Sequence, residues 1–365
     1  MALKKSDQIE GTCYEFCPEK RKKRLLYFIY CLYRRQRQRR VHLLERREPK
    51  RASSQRMEKD FLMIKEYSRP AAGKDATDKR DLRPPSILLE VVEYMMTDLA
   101  TRDDLPWSEV YLFVFDRLRA IRQDLVIQRA SCKESVRILE CAVRFHIYAG
   151  YRLCEESLSK FEPKFNSDHC QECLKRLLVE YREDGFDSNN RAEFESLYIL
   201  YNLGSFEVLQ TSLQLPSTLR NHQRVKLAYD ISTTFLEGNF VRLRKLVQQC
   251  DFLQRCAIHR HLPLIRRDSL AILNSGFYSK NIKFPVEVLA KWLFFDSTKE
   301  ACGFCVLNGF VTTTDGIQFK REVPQLKPNL WPDKKSHQLV QRHFEAMSAP
   351  NVILGNQRNE QLPQR

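Results

Sequence analysis

The stretch F-D-R-L-R-A-I-R-Q-D-L-V-I-Q, Phe115 to Gln128, decides the fold class. Together with the residues just before it, it places Val110, Phe113, Val114, Leu118 and Ile121 on one apolar face at three-to-four spacing, the signature of a buried helix face. Arg117 and Asp124 stand seven apart on one side of that helix, with Arg122 close by. This reads as a buried Arg–Asp pair that fixes helix register. The competing reading takes Asp116, Arg117, Arg119, Arg122 and Asp124 as a phosphate-binding cluster.

Outward from this stretch the same period recurs. Ile87, Val91, Tyr94, Met95 and Leu99 trace a helix face on the N-terminal side. On the C-terminal side, helices are predicted over 132–161, 170–181, 191–203, 205–214, 223–236 and 240–249. Eleven Gly in 365 residues is few, which favours helices over a turn-rich β fold. Short breaks between helices of about 10–15 residues imply antiparallel neighbours stacked as pairs. No strict repeat consensus is visible.

Near Ile282 the pattern changes. Lys283-Phe284-Pro285 is short and extended, and 286–295 is an amphipathic helix through Val288, Leu289, Trp292 and Leu293. Ser297 with Glu300 is a capping-box pattern that starts a helix over 298–308, and Gly309 stops it. Residues 310–314 and 317–320 then read as a hairpin with an Asp315-Gly316 turn. Strand, helix, helix, hairpin is a winged-helix arrangement. The predicted fold is therefore all-α: an antiparallel helix-pair solenoid capped by a winged helix with a small β-hairpin. The predicted domains are an N-terminal loop and basic segment over 1–60, a helical-repeat domain over 61–274, the winged helix over 275–322, and a poorly ordered tail over 323–365. The stretch 68–85, with Pro70, Gly73 and Pro84-Pro85, is expected to be an exposed connection.

The net charge is +15, but residues 20–56 hold fifteen Lys or Arg against Glu45 and Glu48 alone, leaving the rest of the chain near neutral. Such a segment suits a polyanion through counterion release. Arg34, Arg35, Arg39 and Arg40 are its candidate nucleic-acid contacts, and Arg34–Arg40 also suits nuclear import. The winged helix adds Lys291, Lys299, Lys320 and Arg321, offset by Glu287, Asp296, Glu300 and Asp315, so any contact there is expected to be weak and non-specific. Phe284, Trp292 and Phe304 are its candidate partner-contact residues.

Met1 to Glu10 is polar and has no secretory core, so the twelve Cys are expected to be free thiols packed as small hydrophobes. The pairs Cys13/Cys17, Cys170/Cys173 and Cys302/Cys305 lie too far apart in sequence to form an obvious four-ligand zinc site, and no metal or cofactor is expected. No apolar run reaches membrane-spanning length. The chain has no G-x-S-x-G, P-loop or H-E-x-x-H motif, so no catalytic residue is assigned and a non-enzyme is expected.

Two signatures, G-T-C-Y-E-F-C-P-E-K (Gly11 to Lys20) and the Phe115–Gln128 stretch, together resemble the SAC-three/GANP family of helical scaffolds, which carry a PCI-type domain with TPR-like helical repeats. Residues 228–243 (A-Y-D-I-S-T-T-F-L-E-G-N-F-V-R-L) and 284–295 (F-P-V-E-V-L-A-K-W-L-F-F) fit the same resemblance. It implies structural roles for Gly11, Cys13, Cys17, Pro18, Glu19, Arg117, Arg122 and Asp124. As partners it implies another PCI-type subunit and a small acidic subunit, with RNA or DNA as a weak further ligand and no membrane. Two settings follow: centrosome duplication, spindle assembly and mitotic progression, to which a chain ending soon after the winged helix leans, or nuclear mRNA export. Nucleus and cytoplasm, with the centrosome or spindle, are the expected locations. The family usually continues past C-P-E-K with a charged helix, whereas here R-K-K-R-L-L-Y-F-I-Y-C-L-Y follows. Residues 21–36 are therefore read either as a native helix or as a stretch foreign to the fold.

Deletion of 21–36 separates the two. It removes six positive charges and no acid. A foreign stretch leaves the denaturant midpoint unchanged while RNA affinity and its salt slope fall, by about 0.7–0.9 per lost phosphate contact. A loss of several kcal/mol of stability rejects that reading.

Overall fold

The computed structural model describes residues 9–23, 44, 63–69, 78–183, 189–279, 282–313, 316–320, 334–343 and 348–355. Arg34, Arg35, Arg39, Arg40 and Arg321 lie outside the described residues, as does most of the basic segment. Two compact units emerge. One is Met1–Ala142 with Arg182–Phe186 and Ala349–Arg365; the other is Val143–Tyr181 with Asp187–Ser348. The division falls inside the stretch read as one helical domain. The described chain is all-α apart from one small antiparallel hairpin.

In the first unit, α1 (Pro85–Tyr94) starts with Pro at N1, where a missing N–H costs nothing. It continues as a π-helical turn, Met95–Leu99, that buries Met95, Met96 and Leu99. The long α2 (Trp107–Ile127) buries the face that the spacing predicts, Val110, Phe113, Val114, Leu118 and Ile121, and with it Asp124. The chain passes through α3 (Lys133–Arg152) into the second unit.

There α4 (Pro163–Glu183), α5 (Arg191–Tyr201), α6 (Phe206–Leu213), the short α7 (Ser217–Arg220), α8 (Gln223–Leu236), α9 (Phe240–Val247), α10 (Phe252–His259) and α11 (Leu262–Phe277) follow. α5 packs against α8 and α10, and α8 against α9. Cap chemistry sets several starts. Ser205 accepts from Val208 N, Asn239 from Arg242 N, and Asp251 and Gln254 close a full capping box.

The last module of this unit holds α12 (Val286–Trp292), α13 (Thr298–Leu307) and strands β1 (Val311–Thr313) and β2 (Gly316–Gln318). Phe284 bridges Ile317, so the extended stretch before α12 joins the hairpin. Leu270 and Leu273 of α11 share one core with Leu289, Leu293, Phe295, Ala301, Phe304, Phe310, Ile317 and Phe319. Ser297 caps α13 as expected, but the reciprocal Glu300 carboxylate accepts from Asp296 N at 3.0 Å.

Some boundaries differ from the sequence reading. The helix expected over 132–161 stops at Arg152, and Pro163 starts the next. The helix expected over 286–295 stops at Trp292, because Phe294 takes φ 55°. Pairing of Thr313 with Gly316 moves the turn off Asp315-Gly316. Gly316 instead sits in β2 at φ 144°, where a Cβ would stand 2.6 Å from the Phe284 carbonyl oxygen. The connection 68–85 is not exposed at its end: Leu82 and Arg83 are buried. Nor is 323–365 a free tail throughout. Leu339 and Val340 are fully buried in the second unit, and α14 (Ala349–Leu354) packs on the π-helical turn of the first, with Val352 and Ile353 buried.

Burial holds His259 and His261 neutral, each pushed down to about 4, and each ring faces a carbonyl through Nε2 (Lys334 O at 2.8 Å, Tyr201 O at 3.1 Å). The unfolded chain binds these protons near pH 6.5, the folded chain only near 4. Stability should therefore be full above pH 6.5 and fall as pH drops toward 4, by about 1.4 kcal/mol per pH unit for each His. Urea midpoints at pH 7, 6 and 5 measure it, and His259→Gln should make the decline shallower.

Candidate functional site

A buried carboxylate organises the first unit. Asp124 of α2 is fully buried and accepts from Lys65 Nζ at 2.5 Å and from Arg83 Nε at 2.8 Å. Both cations are themselves buried. Burial lowers the Lys65 pKa, and Asp124 opposes that shift. The two cations also reach backbone carbonyls, Lys65 to Asp81 O at 2.8 Å and Arg83 to Phe16 O at 3.2 Å.

The Gly11–Lys20 signature wraps this group. Gln128, one helical turn beyond Asp124, donates to Arg83 O at 2.8 Å and to Asp124 O at 3.0 Å, and accepts from Gly11 N at 2.9 Å. Thr12 N and Cys13 N donate to Lys79 O and Leu82 O, and Lys65 N donates to Phe16 O. A Cβ on Gly11 would stand 2.4 Å from Leu82 O, so only glycine fits. Cys13, Cys17 and Pro18 are buried, while Glu19 is exposed and pairs with Lys23 across one turn of the helix over 19–23. Arg21, the first residue of the anomalous stretch, donates to Glu66 O at 2.9 Å. The rest of that stretch beyond Lys23 lies outside the described residues.

The expected Arg117–Asp124 pair does not form. Arg117 pairs with its neighbour Asp116 at 2.7 Å and lies over Phe113, and Asp116 also accepts from Tyr67 N. Arg119 covers the Tyr67 ring at 3.9 Å. Arg122 is half-buried on α2. The structural reading of Asp124 stands, but its cations come from Lys65 and Arg83, remote in sequence. Among the described residues no group of His, Cys, Asp or Glu is placed to hold a metal, and no helix is long and apolar enough to cross a membrane.

The hairpin module of the second unit is the other candidate surface. Lys291, Lys299 and Lys320 are exposed, and Lys320 Nζ caps Gly309 O at 2.7 Å. Phe284 and Phe304 are not partner contacts: they fill the core, Phe284 against Phe277, Trp292 and Phe319, and Phe304 against Phe295. Trp292 is half-buried at the end of α12 between Phe240 and Phe284. The exposed apolar side chains of the module are Ile282, Val306, Leu307 and Val311.

Arg266 of α11 ties the module down. Its guanidinium is buried, donates to Leu293 O and Phe294 O at 3.0 and 2.6 Å, lies 3.9 Å over Phe295 and pairs with Glu300. Burial lowers its pKa to about 10. It satisfies the carbonyls that the left-handed Phe294 leaves open at the end of α12.

These features define an all-α chain with a signature loop locked on a buried ion group and a small terminal hairpin module. The SAC3/GANP family model matches residues 30–314, most of the chain, and the chain belongs to that family. It is 27% identical to SAC3 family protein 1 of Schizosaccharomyces pombe over 96% of this chain and 35% of that protein. It is 29% identical to SAC3 family protein B of Arabidopsis thaliana over 64% of this chain, and 28% identical to Protein xmas of Drosophila melanogaster over 82%, in each case 14% of the relative. The chain thus spans 35% or less of the length of these relatives.

Asp124→Asn should cost about 3–5 kcal/mol, because it strands two buried cations. Gly11→Ala should cost about 1–3 kcal/mol through the clash with Leu82 O. Arg117→Ala, whose partner Asp116 is partly solvated at 34% exposure, should cost less than Arg83→Ala. Urea melts of the four variants give the ranking, and an Arg117→Ala cost equal to that of Arg83→Ala would contradict this assignment.

Proposed function

We propose that this chain is a non-catalytic helical scaffold that assembles a protein complex, in the nuclear mRNA-export setting that family resemblance implies. Family membership across residues 30–314 carries the reading. The hairpin module supplies a surface that suits it. Val306, Leu307 and Val311 are about half exposed and cluster where α13 meets β1. β1 pairs with β2 on one side, and Lys291 and Lys299 are exposed on the two helices of the module. An apolar patch with a polar, charged surround is the anatomy of a subunit interface. The partners are those the resemblance implies, another PCI-type subunit and a small acidic subunit. The exposed lysines and the basic segment suit a complex that handles RNA, which favours the export setting over the centrosome and spindle. Nucleic-acid contact by the module stays weak and non-specific, because Glu287, Asp296 and Glu300 offset its lysines.

Co-expression with a PCI-type subunit and a small acidic subunit tests the proposal. A stable complex on size-exclusion chromatography, with cross-links from Lys291, Lys299 or Lys320, is the expected result. Val306→Glu with Leu307→Glu should weaken assembly at least tenfold, about 1.4 kcal/mol or more, with circular dichroism unchanged. Unchanged assembly counts against the patch, and sub-nanomolar, sequence-selective DNA binding at physiological salt counts against the scaffold reading.

A further inference from the structure

Residues 334–343 lie across the second unit as a strap, and six polar contacts reach their backbone. His259 Nε2 donates to Lys334 O at 2.8 Å. Glu155 accepts from Lys335 N at 3.1 Å. Tyr151 OH donates to Ser336 O at 3.2 Å. The Asp296 carboxylate accepts from His337 N at 2.7 Å and from Gln338 N at 2.8 Å. Arg255 Nη1 donates to Leu339 O at 3.2 Å. Side chains of α3, α10, the Glu155 turn and the loop after α12 thus satisfy the main chain of six consecutive residues.

The groove is built independently of the strap. Arg255 is buried and held by Cys250 O at 2.8 Å and Gln248 O at 2.6 Å, beyond the end of α9. Tyr151 stacks edge-on against His259, with ring centroids 4.9 Å apart. The Asp296 backbone N–H is fixed by Glu300. Three side chains of the strap are buried in the groove, and Lys335 Nζ also pairs with Glu155 at 3.6 Å. Ser336 is buried; its hydroxyl accepts from Leu339 N at 3.2 Å and stands 3.4 Å from Asp296. Leu339 and Val340 are the two apolar anchors, both fully buried. Lys334 and His337 are exposed.

We propose that Tyr151, Glu155, Arg255, His259 and Asp296 form a peptide groove that reads main chain, and that residues 334–340 are its displaceable occupant in cis. The partner that fits is a segment of the same chemistry, Ser-x-x-Leu-Val, folded into the same turn, in which Val340 N donates to Ser336 O at 3.0 Å, and entering in trans. Contacts to the backbone supply six of the polar contacts, and burial of the Leu339 and Val340 side chains supplies selectivity. An occupant fixed by two anchors opens locally far more readily than helices fixed by many. The inference rests on this geometry and stands apart from the family reading.

The probe is a fluorescent peptide with the sequence of residues 334–343, titrated into the full chain. Leu339→Ala with Val340→Ala loosens the strap and leaves every groove side chain in place. That variant should bind the peptide at least tenfold more tightly than the wild type does. Adding Asp296→Ala to it should lower the affinity at least tenfold, as should Leu339→Ala in the peptide. No binding by a variant that keeps its helical circular dichroism, or equal binding with Asp296→Ala, overturns the groove. Hydrogen exchange on the wild type gives a second readout that needs no variant. The amides of His337 and Gln338 should exchange faster than those of Arg255 to His259 in α10, and equal rates overturn displaceability.

Discussion

The contact between Asp124 and its two cations sets the architecture of the first unit. A carboxylate with no solvent exposure is costly unless it is paired and hydrogen-bonded. Lys65 and Arg83 meet that demand, and neither is near Asp124 in sequence. Each cation also carries spare donors, and those donors hold the carbonyls of Asp81 and Phe16. One ion group therefore fixes α2, the 63–69 stretch, the approach to α1 and the Gly11–Lys20 loop. Hydrophobic contacts tolerate sliding; a charge group with this many directional partners does not. The loop is held for the same reason that Gly11 is glycine: its backbone runs against Leu82 too closely for a side chain.

The second unit uses buried charge differently. Arg255 and Arg266 are not mainly ion-paired but donate to carbonyls where helices end. A chain of many short helices has many ends, and each end leaves carbonyls without intrahelical partners. A guanidinium offers five donors in a fixed fork, so one Arg can close two chain breaks at once. Arg266 joins α11 to the end of α12 in this way, and Arg255 joins the end of α9 to the strap. Asp296 is the acidic counterpart, accepting two consecutive N–H groups.

How much of this the sequence displays follows from the range of each interaction. The helix faces of α1 and α2, the α13 cap at Ser297 and the pairing of the hairpin rest on local periodicity and cap chemistry, and all were legible. Helix ends were less so, because Phe294 reverses its backbone in response to Arg266 rather than to its own neighbours. The partners of Asp124 were not legible at all. Spacing on one helix made Arg117 the natural candidate, yet the geometry of the fold brings Arg83 from 41 positions away and Lys65 from 59. Phe284 and Phe304 were misassigned because a large aromatic in a small module reads equally well as interface or as core, and only the shared core with Leu270 and Leu273 separates the two.

The placement of charge bears directly on what the body can do. Five of its cations, Lys65, Arg83, Arg144, Arg255 and Arg266, are buried and engaged in internal contacts, Arg144 in a two-pronged pair with Glu193. They add to the count of positive residues but cannot meet a phosphate. The surface cations of the hairpin module are lysines, point charges on flexible stems that suit loose attraction better than bidentate readout. The body's buried arginines hold helix ends and loops in place, and a fixed surface with an apolar patch is what a complex-forming scaffold requires. The largest local excess of positive charge, thirteen, stands in the basic segment of residues 20–56, where counterion release would act on a polyanion if the chain binds one.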